Sequence, residues 1–263
     1  DWKRDENGVL NVRSQMERIW SPLSKPSESM RKYGNVPTVS EAAWTSPQAW
    51  AQLANRERKV TSTEEVVLFF DGSKSRDATA LIGCCISDGH IFTAGIWEPS
   101  PKHTVDDVVP VDDVDAAVQI AFDSYNVIAY FADVREWESF AKIDWPKRFA
   151  SRLRPYAVKG GNAPQPIAWD MRNHVQEFTR AAELVEAEIR DQSFTHDDNP
   201  ALARHVANCR IRQNRWGTSV GKESPASPLK IDAGVCMIGA RMVRRLVMAL
   251  PAEAVMTMPK RIR

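Results

Sequence analysis

Residues 66–99 read VVLFFDGSKSRDATALIGCCISDGHIFTAGIWEP, and the fold turns on them. With Glu65 in front, EVVLFF is a short, almost wholly apolar run, which suits a strand buried on both faces. DGSKSRDA (71–78) is a polar loop. TALIGCCIS (79–87) and HIFTAGIW (90–97) are two further strands. Asp88-Gly89 between them is a two-residue hairpin signal. Asp71-Gly72 carries the same dipeptide, but the loop that it opens is too long for a tight hairpin.

Working outward, VDDVDAAVQIAFDSY (111–125) begins with acids and has apolar residues at helical spacing. VIAYF (127–131) reads as a strand, DVREWESFAKI (133–143) as a helix and PIAWD (166–170) as a short strand. HVQEFTRAAELVEAEIRD (174–191) and NPALARHVANCRIRQNRW (199–216) read as amphipathic helices, the second with Pro200 near its start. GTSVGKESPASP (217–228) is a polar loop leading to LKID, and a last helix is expected over about 233–250. Three antiparallel strands followed by mixed helices and strands predict an α/β fold, a mixed sheet flanked by helices.

Upstream, residues 1–60 read as a helical and linker appendage to a domain of residues 61–263. A helix is expected near 9–20, and SPLSKPSES (21–29) is the flexible joint. Ser46 as cap and Pro47 as first helical residue predict a helix from 47 to about 57. Trp44 and Trp50 would staple this piece to the main domain.

With 26% charged and 43% hydrophobic residues over 263 positions, wholesale disorder and fibrous architecture are excluded. No apolar run approaches the roughly 20 residues of a membrane helix. The polar start, with neither Met nor signal peptide, is expected of a piece of something longer. Four cysteines without a CxxC pair suggest buried thiols rather than a zinc site. The net charge is only +1, yet residues 85–145 hold twelve acids against three bases and residues 201–263 twelve bases against three acids. Such segregation fits a polyanion partner at one face; mutual neutralisation across the fold is the alternative.

Three acids stand at the mouths of core elements. Asp71 follows VVLFF, Asp133 follows VIAYFA and Asp232 follows LKI to open the last helix. Ligands bind at strand ends in open α/β sheets. Neighbouring carboxylates raise one another's pKa unless something neutralises them. A pair of Mg²⁺ or Mn²⁺ ions does so, and such a pair about 4 Å apart suits phosphodiester hydrolysis by water, with no His or Cys nucleophile. Each Asp also has a structural alternative: a turn for Asp71, a helix N-cap for Asp133 and Asp232.

Residues 66–99, VIAYFADVREWESF, FTHDDNPALARHVANC and KIDAGVCMIGA, with AAWTSPQAW before them, resemble the nuclease domain of tailed-phage terminase large subunits. The resemblance implies an RNase H-like (retroviral integrase-like) fold and metal-binding catalytic roles for Asp71, Asp133 and Asp232. It further implies cleavage of concatemeric double-stranded DNA during packaging in the host cytoplasm, with the small terminase subunit and the portal as partners. The family's ATPase half is not represented: Gly217-Thr-Ser-Val-Gly221-Lys222-Glu223 is one residue short of a phosphate-binding loop and has Glu where Ser or Thr should stand. RKYGNVPT (31–38) departs from the family pattern.

Around the trio, Asp77 and Asp170 are candidates for an extra metal contact, a solvated loop acid being the alternative for Asp77. Lys222 and Lys230 are candidates for contact with the scissile phosphate. Arg241, Arg244 and Arg245, at i, i+3 and i+4 in the last helix, are candidates for gripping DNA phosphates; a solvated face with ion pairs is the alternative. The cluster His196, Asp197 and Asp198 reads as helix capping, His205 as a hydrogen-bonded core histidine, Trp169 and Trp216 as core, and PKRIR as a basic tail. Two rival functions remain. A resolvase or transposase shares the acid layout but usually carries a carboxylate within its last helix. A non-catalytic DNA-gripping or docking module would use the acids for the fold alone.

Overall fold

The structure, a computed structural model, describes residues 16–17, 42–73, 77–99, 109–158, 164–224 and 226–251. The chain divides into two compact units, residues 1–43 and 44–263. In the first, Met16 and Glu17 are helical. The rest of the expected helix 9–20, the joint 21–29, RKYGNVPT and PKRIR lie outside the described residues.

The boundary thus falls at 43/44 rather than 60. Trp44, Trp50 and Leu53 explain why: all three are buried in the main core. Ser46 caps helix α1 (Pro47–Ala51) by accepting from the Ala49 N–H at 3.0 Å. The helix is shorter than expected because the chain turns at Leu53 to form a bridge between Ala54 and His196.

The second unit is built on strands β1 (Glu65–Asp71), β2 (Thr79–Cys85), β3 (Ile91–Trp97) and β4 (Asn126–Ala132), in the order β3-β2-β1-β4. β1 pairs antiparallel with β2 and parallel with β4. The connection between β2 and β3 spans Ile86–His90, with Cys85 N–H donating to the His90 carbonyl at 2.9 Å, a longer turn than the two-residue one expected. Every residue from Val66 to Phe70 is buried, as a strand covered on both faces requires.

Alternation divides the core in two. Val66, Leu68 and Phe70 face helix α2 (Val111–Ser124) and helix α3 (Trp145–Phe149), which a π turn at Phe140–Asp144 leads into. Val67 and Phe69 face helices α4 (Val175–Arg190), α5 (Pro200–Asn208) and α6 (Asp232–Met248). α6 packs across β1 and β2. A side chain at Gly239 would put its Cβ 2.4 Å from the Phe69 ring, so glycine is what lets α6 lie so close to β1.

Further expected elements differ. The helix of 199–216 ends at Asn208, because Cys209 is extended (φ −62°, ψ 131°) and buried. Beyond it β5 (Arg210–Asn214) and β6 (Gly217–Gly221) form an antiparallel ribbon in place of the expected loop. Its turn contains Gly217 at φ +132°, a conformation that side-chain-bearing residues rarely adopt. Trp216, expected in the core, is 43% exposed at this turn, with the Arg215 guanidinium 4.6 Å from its ring centre. PIAWD is no full strand; Ala168 makes a single parallel bridge to Ala132.

Candidate metal centre

The register of two parallel strands brings the first two acids together. Phe70 pairs with Ala132, so Asp71 and Asp133 are the next residues on adjacent strands, and Asp133 N–H donates to the Phe70 carbonyl at 2.9 Å. Asp71 continues the alternation of Val67 and Phe69 toward α6. The first residue of that helix is Asp232. All three acids line one open cleft of about 410 Å³, together with Gly72, Ser73, Asp77, Arg135, Glu136, Met171 and Arg172.

Neither helix-cap alternative holds. Helical structure after Asp133 begins only at Glu138. Asp133 instead accepts the Met171 N–H at 3.0 Å. Asp232 lies inside α6 rather than before it, and the cap position, Ile231, makes no side-chain cap bond. The Asp232 Oδ2 atom is buried without a hydrogen-bond partner.

The electrostatics are those of crowded acids. Burial chiefly, and then the charges of Asp232, Asp133 and Asp77, hold the Asp71 carboxyl well above the usual carboxylate range. Burial also raises Asp232, with the Asp77 charge adding to it. Burial raises Asp133 as well; the backbone N–H groups of Met171, Val134 and Arg135 offset part of that rise, while the Asp170 charge increases it.

Among the described residues, no group of three or more His, Cys, Asp or Glu side chains is set to hold a metal ion as it stands. The donor chemistry nevertheless fits a hard divalent cation. Carboxylate oxygens converge on one cleft, one of them buried and unpartnered, and each acid is more costly to ionise than in water.

The other expected residues sort themselves by position. Asp77 lines the cleft and receives both Lys222 and Lys230, the latter at 3.2 Å. Burial would raise its carboxyl, but the two lysines outweigh burial and hold it below the usual range. Asp170 does not line the cleft. It caps the short turn Met171–Asn173 and is gripped by Arg172 Nε and Nη2, both at 2.8 Å.

The three arginines of α6 face elsewhere. Arg241 is 3% exposed, pairs with Glu188 at 2.8 Å, donates to the Gly89 carbonyl at 3.0 Å and lies over the Phe194 ring. Arg244 donates to the Cys85 and Ile86 carbonyls, and Arg245 pairs with Glu188 at 2.7 Å. They tie the β2–β3 turn and α4 to α6 as an ion-paired helix face, and none of the three lines the cleft.

His196 stacks on Trp50 with ring centres 4.0 Å apart and accepts the Asp198 N–H, and Asp197 accepts from Thr93 and Asn199; the helix cap itself is Asn199, whose side chain accepts from Ala201 and Leu202, so the expected capping role falls to the residue after the cluster. Arg135, Glu136 and Arg172 were not anticipated at the cleft. The one available signal was that Arg135 and Glu136 follow Asp133 directly, at a strand end.

The fold, a mixed sheet flanked by helices, is found among solved structures of phage large terminases. The crystal structure of the HK97 bacteriophage large terminase matches with TM-score 0.55 at 14% identity, covering 92% of this chain and 56% of that one. The chain carries that fold. The large terminase nuclease from thermophilic phage G20c, with bound magnesium, aligns with TM-score 0.48 at 13% identity over 77% of this chain and 97% of that chain. In sequence, the chain is 33% identical over 253 residues to the Gene 13 protein of Mycobacterium phage L5, covering 90% of this chain. It spans 41% of that relative's length. No family model matches the chain.

Proposed function

We propose that this chain is the nuclease part of a tailed-phage terminase large subunit, a Mg²⁺- or Mn²⁺-dependent endonuclease that cuts concatemeric double-stranded DNA during genome packaging. The observation that carries the reading is the convergence of Asp71, Asp133 and Asp232 on one cleft, with a buried Asp232 oxygen left unpartnered. Asp71, Asp133 and Asp232 would hold the ions, with Asp77 as a further ligand. When bound, a divalent pair supplies charge neutralisation and a water acidic enough to attack a phosphodiester.

The chain's own residues prepare that chemistry. Backbone N–H groups fix the Asp133 carboxylate. Lys222 and Lys230 hold Asp77 and put positive charge beside the cleft, where a scissile phosphate would sit. Arg135, exposed on the cleft lining, suits a neighbouring DNA phosphate. Water attack with a 3′ leaving oxygen gives 5′-phosphate and 3′-hydroxyl ends. Backbone contact without a base-reading motif gives little sequence preference and steep salt dependence.

Site choice then falls to partners: an ATPase part of the same subunit, the small terminase subunit and the portal, acting in the host cytoplasm. Among the described residues no helix is long and apolar enough to cross a membrane.

Plasmid nicking tests the reading. Cleavage is expected with Mg²⁺ or Mn²⁺, is lost in EDTA, and is lost in Asp71→Ala and Asp133→Ala. DNA binding without cleavage under either metal would instead point to a gripping module.

A further inference from the structure

A helix that begins with an acid at its first residue normally faces a choice. Its first N–H groups need an acceptor, and the nearest carboxylate is the usual one. In α6 that conflict is resolved by another helix. The buried ring of His205, on α5, accepts the Ala233 N–H through Nδ1 at 2.9 Å. An accepting Nδ1 leaves the proton on Nε2, which donates to Glu98 Oε1 at 2.8 Å. Arg204 in turn holds the other Glu98 oxygen at 2.7 Å.

Two further contacts brace the same spot. Asn208 donates to the Lys230 carbonyl at 2.9 Å, two residues before Asp232. A Cβ on Gly234 would stand 2.9 Å from Cys209 Sγ, so α5 and the first turn of α6 are in close contact. Meanwhile Asp232 Oδ2 is buried and has no partner.

We infer that Glu98 and His205 form a positioning pair. Glu98 fixes the His205 tautomer, His205 takes the Ala233 N–H in place of Asp232, and Asp232 Oδ2 is thereby kept unpartnered and available to the cleft as a cation ligand, while the carboxylate is braced by its own backbone N–H. This rests on the metal-site reading above and deepens it. His205 acts through Ala233 and touches neither cation nor DNA.

Conservative substitutions separate the two ring nitrogens. An Asn side chain can place an acceptor near the Nδ1 position, and a Gln side chain a donor near Nε2. His205→Asn keeps the cap and loses Glu98; His205→Gln keeps Glu98 and loses the cap. Three readouts are needed: Mn²⁺ affinity by calorimetry, thermal stability in EDTA, and the imidazole ¹⁵N spectrum of the metal-free protein.

The spectrum is expected to show His205 protonated at Nε2 alone in the wild type, and a mixture of tautomers in Glu98→Ala. His205→Gln is expected to weaken Mn²⁺ binding by about 10- to 100-fold, the usual loss when a ligand's support is removed. His205→Asn should stay close to wild type, and kcat should follow affinity while KM for DNA does not move.

Equal Mn²⁺ affinity in the Asn and Gln variants, or a proton on Nδ1, overturns the inference while leaving the nuclease reading intact. A wild type that binds no Mn²⁺ defeats the metal-site reading and the purpose assigned to the pair. Should the Gln variant not fold, Glu98→Ala, altered at a part-exposed residue, carries the same affinity test.

Discussion

Replacing Asp71 by Asn should make the metal-free protein more stable, and increasingly so as pH rises. Asp71 sits at the end of β1, its carboxyl raised first by burial and then by the charges of Asp232, Asp133 and Asp77. A raised carboxyl binds its proton more tightly in the folded chain than in the unfolded one. Below the unfolded value of about 3.9 both states are protonated and the group is neutral in the balance. Above it the unfolded chain ionises freely and the folded one does so only at a cost. Stability is therefore lost between the unfolded and the folded pKa and stays lost at higher pH. Asn carries no such penalty.

Each tenfold change in proton affinity is worth about 1.4 kcal/mol. A carboxyl raised by burial and by neighbouring acids therefore predicts that Asp71→Asn is the more stable protein at pH 8. Tm should therefore be higher for Asp71→Asn than for the wild type at pH 8, by roughly 2–4 °C for each kcal/mol recovered. Calorimetric melting in EDTA at pH 4 and pH 8 checks both size and sign, the difference being near zero at the lower pH. An Asp71→Asn variant that melts below wild type at pH 8 would refute the reasoning and make Asp71 a structural residue.

Divalent cation should reverse this order. At a hundred times its Kd, Mn²⁺ adds about 2.7 kcal/mol to the wild type, and the gain should vanish in Asp71→Asn and Asp232→Asn when melts are repeated with metal. Arg241→Ala should cost about 2 kcal/mol in urea unfolding, since it removes a buried guanidinium from the Gly89 carbonyl, the Phe194 ring and Glu188 while Arg245 stays on Glu188, and DNA affinity of the folded variant should be unchanged. Gly239→Ala drives a methyl into the Phe69 ring and should cost about 1–3 kcal/mol in the same assay.

The part of the fold that carries the acids is legible because its signals are local. EVVLFF and VIAYF are continuous apolar runs, and an acid at the end of such a run marks where a buried strand meets solvent. That these two ends lie side by side follows from the parallel pairing of β1 and β4, which only the assembled sheet displays. The β5–β6 ribbon was hidden because Ala201–Asn208 and Arg210–Asn214 join without Gly or Pro, and the helix is stopped by the extended, buried Cys209. Spacing put Arg241, Arg244 and Arg245 on one side of a helix. What occupies that side, Glu188 of α4 and the carbonyls of the β2–β3 turn, lies at least 53 residues away in sequence for Arg241 and was not readable. His205 was readable as a bonded core histidine, but its partner Glu98 stands 107 residues away.

The most direct test is a crystal of this chain soaked in Mn²⁺ and measured for anomalous scattering. The account predicts a peak in the cleft with oxygens of Asp71, Asp133 and Asp232 as its ligands. Well-ordered carboxylates with no peak among them at millimolar Mn²⁺, or a peak held only by residues outside the cleft, would contradict it.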